Sequence, residues 1–411
     1  MPDIVRGAWL FMLIWLLSDS DSSKHLAFSE ELARFCSYFP DVKAEFAVKT
    51  RSSLWKSFFA HLRDPRRNPL ADVVEIPHNW TALLAKLGLL CDLSTVLEDF
   101  NPLACPEFIT RGFAPADSGA VFSAPWWMDA TALFCSAAAL SGAGVKTGEA
   151  GLSWEEFERA LEKLRGAPES YPLCFPASSG ALELANVLPR IRSRGGGLFS
   201  GDYNRAAFNK DETLAGVRDF TTLALKGYFR LFPSSVFDGS PGRCAFAISP
   251  RDIRSGFVPG PGAPSKKPAP VMLPFPGCSF SSGGDAGPVN VRNLAISSGA
   301  DGVKEPAALL KWLLKPERSG SFAGAFGAFP CQRSAFESRL EKSARGEIYR
   351  KIFARARLRP NTTVYPTAEI LLEKILWNVS LAVARENYSA EYLSRELIIA
   401  QGEADYLLSL Y

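Results

Sequence analysis

Histidine is nearly missing from this chain: 411 residues contain three, His25, His61 and His78. None lies near a cysteine pair, and the eight cysteines, at 36, 91, 105, 135, 174, 244, 278 and 331, include no C-x-x-C. Without that ligand spacing a zinc site is excluded as the leading reading. A Ser-His-Asp arrangement has few histidines to draw on, and no H-E-x-x-H occurs. Gly195-Gly196-Gly197 is not followed by the Lys-Ser/Thr of a phosphate loop and does not fit G-x-G-x-x-G. "GCSFS" at Gly277–Ser281 lacks the closing glycine of a nucleophile elbow. The expectation is a protein that is not an enzyme and needs no cofactor.

Two other things are in short supply. Lys+Arg 46 against Asp+Glu 43 leaves a net charge of only +3, so there is no electrostatic footprint for nucleic acid. There is also no apolar run of membrane-spanning length. The longest candidate, Ala8–Leu17 in "RGAWLFMLIWLLSDSDSS", would extend about 15 Å as a helix, half of the roughly 30 Å bilayer core. A secretion signal would end in small residues at a cleavage site, and Ser18-Asp19-Ser20-Asp21 is not one. A strand buried on both faces fits better, with an uncleaved or truncated signal as the alternative.

What is present is a long alternation of strand and helix patterns. Phe28, Leu32, Phe35, Cys36 and Phe39 fall at helical spacing before Pro40, and Val42, Ala44, Phe46 and Val48 alternate as a half-buried strand would. "ADVVEIP" reads as a further buried strand, followed by the short helix "WTALLAKLGLL" with Gly88 as its stop. "AVFSAPWWMDATALFC" is an apolar strand interrupted by one carboxylate, Asp129. "LSWEEFERALEKLRG" is an amphipathic helix, with Ser153 and Glu156 forming a capping box. Residues 255–290 are rich in Gly, Pro and Ser and mark a linker or exposed loop, and helices dominate from Ala335 onward. At 411 residues the chain exceeds the usual span of one core. Two α/β lobes with mainly parallel sheets are therefore expected. The cysteines lie mostly in apolar runs, where a buried free thiol is the default.

The order of these pieces resembles the extracytoplasmic solute-binding proteins of ABC importers, in the sugar-binding family that includes maltose-binding protein. The stretches that carry the resemblance are "WLLSDSD" with "FSEELARFCSYFPDVKAEF", "IPHNWTALLAKLGLL", "APWWMDATALF", "LSWEEFERALEKL", "RSRGGGLFSGDYNRAAFN", "GRCAFAIS", "VNVRNLAIS" and "GAFGAFPCQRSAF". They run from residue 8 to about 400 in the family's order. Departures occur where relatives line their site. Asn290 and Val291 replace a glycine pair, Phe134, Cys135 and Ser136 replace tyrosines and asparagine, and Arg251 and Asp252 replace small or aromatic residues.

The resemblance implies a two-lobed periplasmic-binding-protein fold with several hinge crossovers and a ligand enclosed by closure of the lobes. Lobe one would comprise 1–126 and 290–325, and lobe two 127–289 and 326–411. It implies a monomer working outside the cytoplasm with an ABC permease as partner, and in many relatives a lipid anchor. The export signal would have been removed, with Met1 a start codon added to a mature fragment.

Sugar sites combine aromatic faces with planar groups that bond paired hydroxyls. Trp127 and Asp129 offer both within three residues, and a carboxylate at the end of an apolar strand is costly unless it has a task or a partner. Asp129 is thus a ligand residue, with a cap or an ion pair with Arg251 as the alternative. The resemblance adds Asp19 in the loop after the first strand, Asn79 and Trp80 after "VVEIP", and Glu183, which aligns with a sugar-contacting carboxylate. It also adds Gly327 to Phe329 in a return loop, with Arg251 after the "CAFAIS" strand. Core packing is the alternative for Trp80 and Phe329, and a solvated helix face for Glu183. The expected ligand is a carbohydrate or polyol; the alternative is a glycerophosphodiester or glycerol phosphate, against which the charge of Asp129 argues. An enzyme or adhesion protein on the same scaffold is the remaining class.

Overall fold

The computed structural model describes residues 10–17, 22–94, 105–112, 120–145, 151–165, 172–175, 184–200, 205–229, 245–250, 270–278 and 289–409. In chain order the first elements are β1 (Leu10–Leu17), α1 (Ser22–Tyr38), β2 (Val42–Lys49), α2 (Arg51–Arg63) and β3 (Val73–Pro77). A 3₁₀ turn (His78–Trp80) leads into α3 (Thr81–Lys86), then α4 (Glu107–Gly112) and β4 (Ala124–Ala130). Next come β5 (Ala132–Cys135), α5 (Ala137–Gly142), α6 (Trp154–Lys163), β6 (Leu173–Cys174), α7 (Leu184–Ser193) and α8 (Asp211–Leu225). They are followed by β7 (Phe246–Ser249), β8 (Val271–Leu273), β9 (Val289–Ile296), α9 (Lys304–Leu313), α10 (Pro316–Ala325) and β10 (Phe329–Pro330). Helices α11 (Arg333–Glu341), α12 (Gly346–Ala354), α13 (Tyr365–Ala384) and α14 (Ala390–Ser409) complete the chain.

The chain divides into two compact units. Unit 1 comprises Met1–Asp129, Asn290–Lys342 and Leu358–Thr363; unit 2 comprises Ala130–Val289, Ser343–Arg357 and Val364–Tyr411. The first crossover thus follows Asp129, three residues beyond the expected 126, and the return begins at Asn290. That return extends past residue 325 because α11 is tied into unit 1. Phe336 packs edge-on to Phe329 at 6.1 Å, and Arg333 donates to the Cys105 carbonyl at 2.9 Å.

Unit 1 is built on a six-stranded sheet in the order β10-β4-β9-β3-β1-β2. The opening apolar run is its β1, paired in parallel with β2 and β3. Its alternation serves two faces. Met12, Ile14 and Leu16 join Phe28, Leu32 and Phe35 of α1 in one core, while Trp15 and Leu17 join Leu54 and Phe58 of α2 in the other. A strand clad on both sides has no polar face to show, which is why it reads as a continuous hydrophobic run. Strands arriving from later in the chain run the other way: β9 is antiparallel to β3, and β10 to β4.

Unit 2 holds a four-stranded sheet, β6-β7-β5-β8, in which β6 and β7 are parallel and β5 is antiparallel to both of its neighbours. The sheets are therefore mixed, since pairing depends on how the chain re-enters and not on strand-helix alternation alone. Around the sheet of unit 2, α6, α7, α8, α13 and α14 supply one core, including Phe157, Val187, Phe220, Leu376 and Leu397. The expected capping box of α6 is present: Ser153 Oγ accepts from Glu156 N at 3.1 Å and Glu156 Oε2 accepts from Ser153 N at 2.9 Å. Cys174 is disulfide-bonded, whereas Cys36, Cys91, Cys105, Cys135, Cys278 and Cys331 are in no disulfide. Among the described residues no helix is long and apolar enough to cross a membrane.

Gly216 marks the tightest contact between α7 and α8. A Cβ there would lie 2.6 Å from Ile191 Cα, a backbone atom that cannot step aside. Gly216→Ala is expected to cost about 1–3 kcal/mol, the range of core overpacking, as read by denaturant unfolding. A neutral outcome would mean that the two helices can part without loss.

Candidate functional site

Unit 1 buries an ion pair in its middle. Glu75 lies in β3 with no exposed surface, and Lys24, near the start of α1, is 1% exposed. The Lys24 Nζ donates to Glu75 Oε1 at 2.8 Å, to Glu75 Oε2 at 2.7 Å and to the Leu17 carbonyl at 2.9 Å. Its three donors are thereby all used. Glu75 is equally satisfied: Oε1 also accepts from Trp127 Nε1 at 2.9 Å, and Oε2 from Leu17 N at 2.8 Å. One carboxylate thus joins the end of β1, the start of α1 and the middle of β4. Burial pulls the Lys24 pKa down, and Glu75 opposes that shift. Neither Lys24 nor Glu75 was among the candidates read from sequence. The signal that finds Glu75 is the one that found Asp129, a lone carboxylate in an apolar strand.

Beside this pair the neighbouring strands β4 and β9 form a small polar array. Asp129 is 4% exposed and its Oδ1 accepts from Asn290 Nδ2 at 2.8 Å. Burial pushes the Asp129 carboxyl up to about 6, against the pull of Arg292, the Asn290 bond, Arg359 and Lys24. Two residues further along β9, the Arg292 guanidinium lies over the Trp127 ring, 5.7 Å from its centroid. Lys24 Nζ is 5.0 Å from the same centroid. Burial lowers the Arg292 pKa, Asp129 and Glu75 raise it, and Arg359 and Arg51 add to the lowering. Trp127 itself is held edge-on to Phe326 at 5.1 Å.

Of the residues read from sequence, Trp127 and Asp129 are brought together here. Asn79 and Trp80 sit in the 3₁₀ turn after β3, each 1% exposed. Trp80 packs on Trp55 at 4.5 Å with the Arg51 guanidinium 5.5 Å from its centroid. Its place is in the α2 side of the core, so its ring is not offered to solvent. Gly327 follows α10 with a φ of +77, a left-handed conformation that glycine adopts at no steric cost. Phe329, 2% exposed, pairs with Met128 in the β10–β4 ladder and packs on Phe336. Asp19, Glu183 and Arg251 lie outside the described residues, and with them the expected pairing of Asp129 with Arg251. Among the described residues no group of His, Cys, Asp or Glu could hold a metal ion.

The geometry generates two stability tests. Lys24→Met leaves Glu75 buried and uncompensated, and should cost about 3–5 kcal/mol by chemical denaturation. Asp129 works in the opposite sense. Its folded pKa of about 6 lies above the ordinary carboxylate value of 3.8, so the folded state binds more protons between these two values. Stability therefore falls as pH rises through that window, and the full penalty, roughly 3 kcal/mol, is present above it. Asp129→Asn should melt higher than wild type at pH 7.5 and indistinguishably from it near pH 3.5. A variant less stable at pH 7.5 would show that the carboxylate is a net structural asset.

Comparison with known proteins bears on what such an array serves. The family model described as bacterial extracellular solute-binding protein matches residues 63–345, more than half of the chain. No curated protein matches the chain. Solved structures share its fold. Maltose-bound MalE3 of T. maritima is 17% identical, over 97% of this chain and 100% of its own, with a TM-score of 0.76. The GacH receptor of Streptomyces glaucescens, solved unliganded and with acarbose, is 15% identical over 98% and 99%, with a TM-score of 0.75. An ABC transporter solute-binding protein of Thermotoga lettingae, bound with α-D-tagatose, is 17% identical over 97% and 100%, with a TM-score of 0.74. At these identities the likeness is one of fold, whereas the family match rests on the sequence itself: this chain belongs to the bacterial extracellular solute-binding proteins.

Proposed function

We propose that the chain binds a carbohydrate or polyol outside the cytoplasmic membrane and delivers it to an ABC permease. The observation that carries this reading is the array on β4 and β9. Asp129 uses one carboxylate oxygen on Asn290, and its Oδ2 makes no hydrogen bond among the described residues. An acceptor kept in place at a cost of stability, next to a guanidinium and an indole, suits a ligand rich in hydroxyls. Sugars in three solved structures of the same fold support the reading. The disulfide at Cys174 agrees with an oxidising compartment. Asp19, Glu183 and Arg251 belong to the same proposal as further ligand residues, and a lipid anchor belongs to it as the mode of attachment.

A thermal-shift screen of the whole chain against sugars, polyols and glycerophosphodiesters tests the reading. A ligand at 100 times its Kd should stabilise the fold by about 2.7 kcal/mol. If no member of these classes raises the Tm, the reading is wrong. Calorimetric titration of Asp129→Asn then separates ligand types. A neutral sugar should bind the variant more weakly by about 1.5–3 kcal/mol, the worth of a hydrogen bond to a charged group. A phosphodiester should bind it more tightly, because a like charge has gone. A variant that titrates like wild type removes Asp129 from the site.

A further inference from the structure

Arg292 stands beside the array without a bonded counter-charge among the described residues. It is half-buried, and among the described residues its guanidinium has no hydrogen-bond or ion-pair partner; only the Trp127 face lies against it. The two carboxylates that act on it do not bond to it. All four acceptor positions of Glu75 are taken by Lys24, Leu17 and Trp127. Asp129 is turned toward Asn290. Arg359 and Arg51 act on Arg292 in the unfavourable sense, against the pull of Asp129 and Glu75. The guanidinium lies in a place that solvates charge poorly, and burial lowers its pKa.

We propose that Arg292 is an anion-reading subsite, and that the ligand is a polyhydroxylated molecule bearing an anionic group, a carboxylate or a phosphate, beside the hydroxyl that Asp129 accepts from. The inference rests on the reading of the array as a ligand site. Three features support it. A guanidinium is charged at any working pH and presents a planar fork that matches a carboxylate or phosphate with two parallel hydrogen bonds. The Trp127 ring lies 5.7 Å from the guanidinium and attracts it as a cation over a ring face. Arg292 and Asn290, the partner of Asp129, are two residues apart on β9, about 7 Å along the strand. That spacing is the width of one sugar ring, so an acid group and a hydroxyl of the same ring can meet the two at once. A neutral sugar would offer Arg292 no counter-charge.

Titration calorimetry of the full chain tests this with matched pairs: glucose against glucuronate and glucose 6-phosphate, galactose against galacturonate, maltose against oligogalacturonate, glycerol against glycerol phosphate. Acetate and inorganic phosphate serve as isolated anions. The acidic member of at least one pair should bind roughly ten- to a hundredfold more tightly than its neutral counterpart, the range of a charge-assisted hydrogen bond, and more weakly as salt rises. Whether uronates or phosphates show the gain identifies the anion. Arg292→Gln should erase the gain, costing the acidic member at least tenfold more affinity than its neutral counterpart, and Arg292→Lys, which keeps the charge without the fork, should retain part of it. Circular dichroism and melting of both variants report whether they fold. Should Gln fail to fold, the matched pairs on wild type decide alone. Neutral sugars binding as tightly as their acids, or losing as much in Arg292→Gln, would overturn the subsite and leave the proposed function standing. If no compound of any class binds, the subsite and the proposed function fall together.

Discussion

The Glu75 carboxylate, filled at every acceptor position by Lys24, Leu17 and Trp127, is what the rest of unit 1 is arranged around. A charge in a strand interior is tolerable only when opposed and fully hydrogen-bonded, because partial satisfaction is worse than an apolar core. Meeting that condition ties four places together: the last residue of β1, the entry to α1, β3 and β4. The chain that leaves β1 for α1 is anchored by Lys24 on the one side and by the Leu17 backbone on the other. Trp127, gripped through its indole N–H, then offers its ring to Lys24 and to Arg292.

Stability and recognition pull apart one step away. Glu75 is neutralised at contact distance, whereas Asp129 has a single amide partner and a carboxyl pushed up to about 6 by burial. Arg292 has no partner among the described residues. Two opposite charges that act on each other without bonding are each less stable than they would be as a pair. Such an arrangement is what a binding site needs in order to gain free energy from a ligand, and it weakens the free protein to the same end. Under the proposed function, that strain is what a ligand would relieve.

Much of the fold was legible from residues alone. Continuous apolar runs identified β1 and β3, because strands clad on both faces carry no polar periodicity. Local chemistry marked the capping box of α6 and the Gly88 stop, whose φ of +68 glycine adopts without strain. Asp129 and Trp127 stood out because a carboxylate and an indole in an apolar strand require an account. By the same logic Glu75 in "VVEIP" was equally visible, but a single buried acid cannot name its partner.

The partner was a matter of tertiary structure. Lys24 reaches Glu75 across 51 residues of chain, and Asn290 reaches Asp129 across 161, distances over which no periodicity or cap signal extends. Likewise the sheets are mixed because β9 and β10 re-enter from the far end of the chain, an event that local alternation does not encode. Trp80 read equally well as a stacking face or as core, and packing on Trp55 placed it in the core. Sequence by itself determined which residues must be inside and which strands and helices they form, since burial and backbone preference are local. Only the folded chain decided which charges find one another and which, like Arg292, have no bonded partner among the described residues, since that depends on elements far apart in sequence meeting in one sheet.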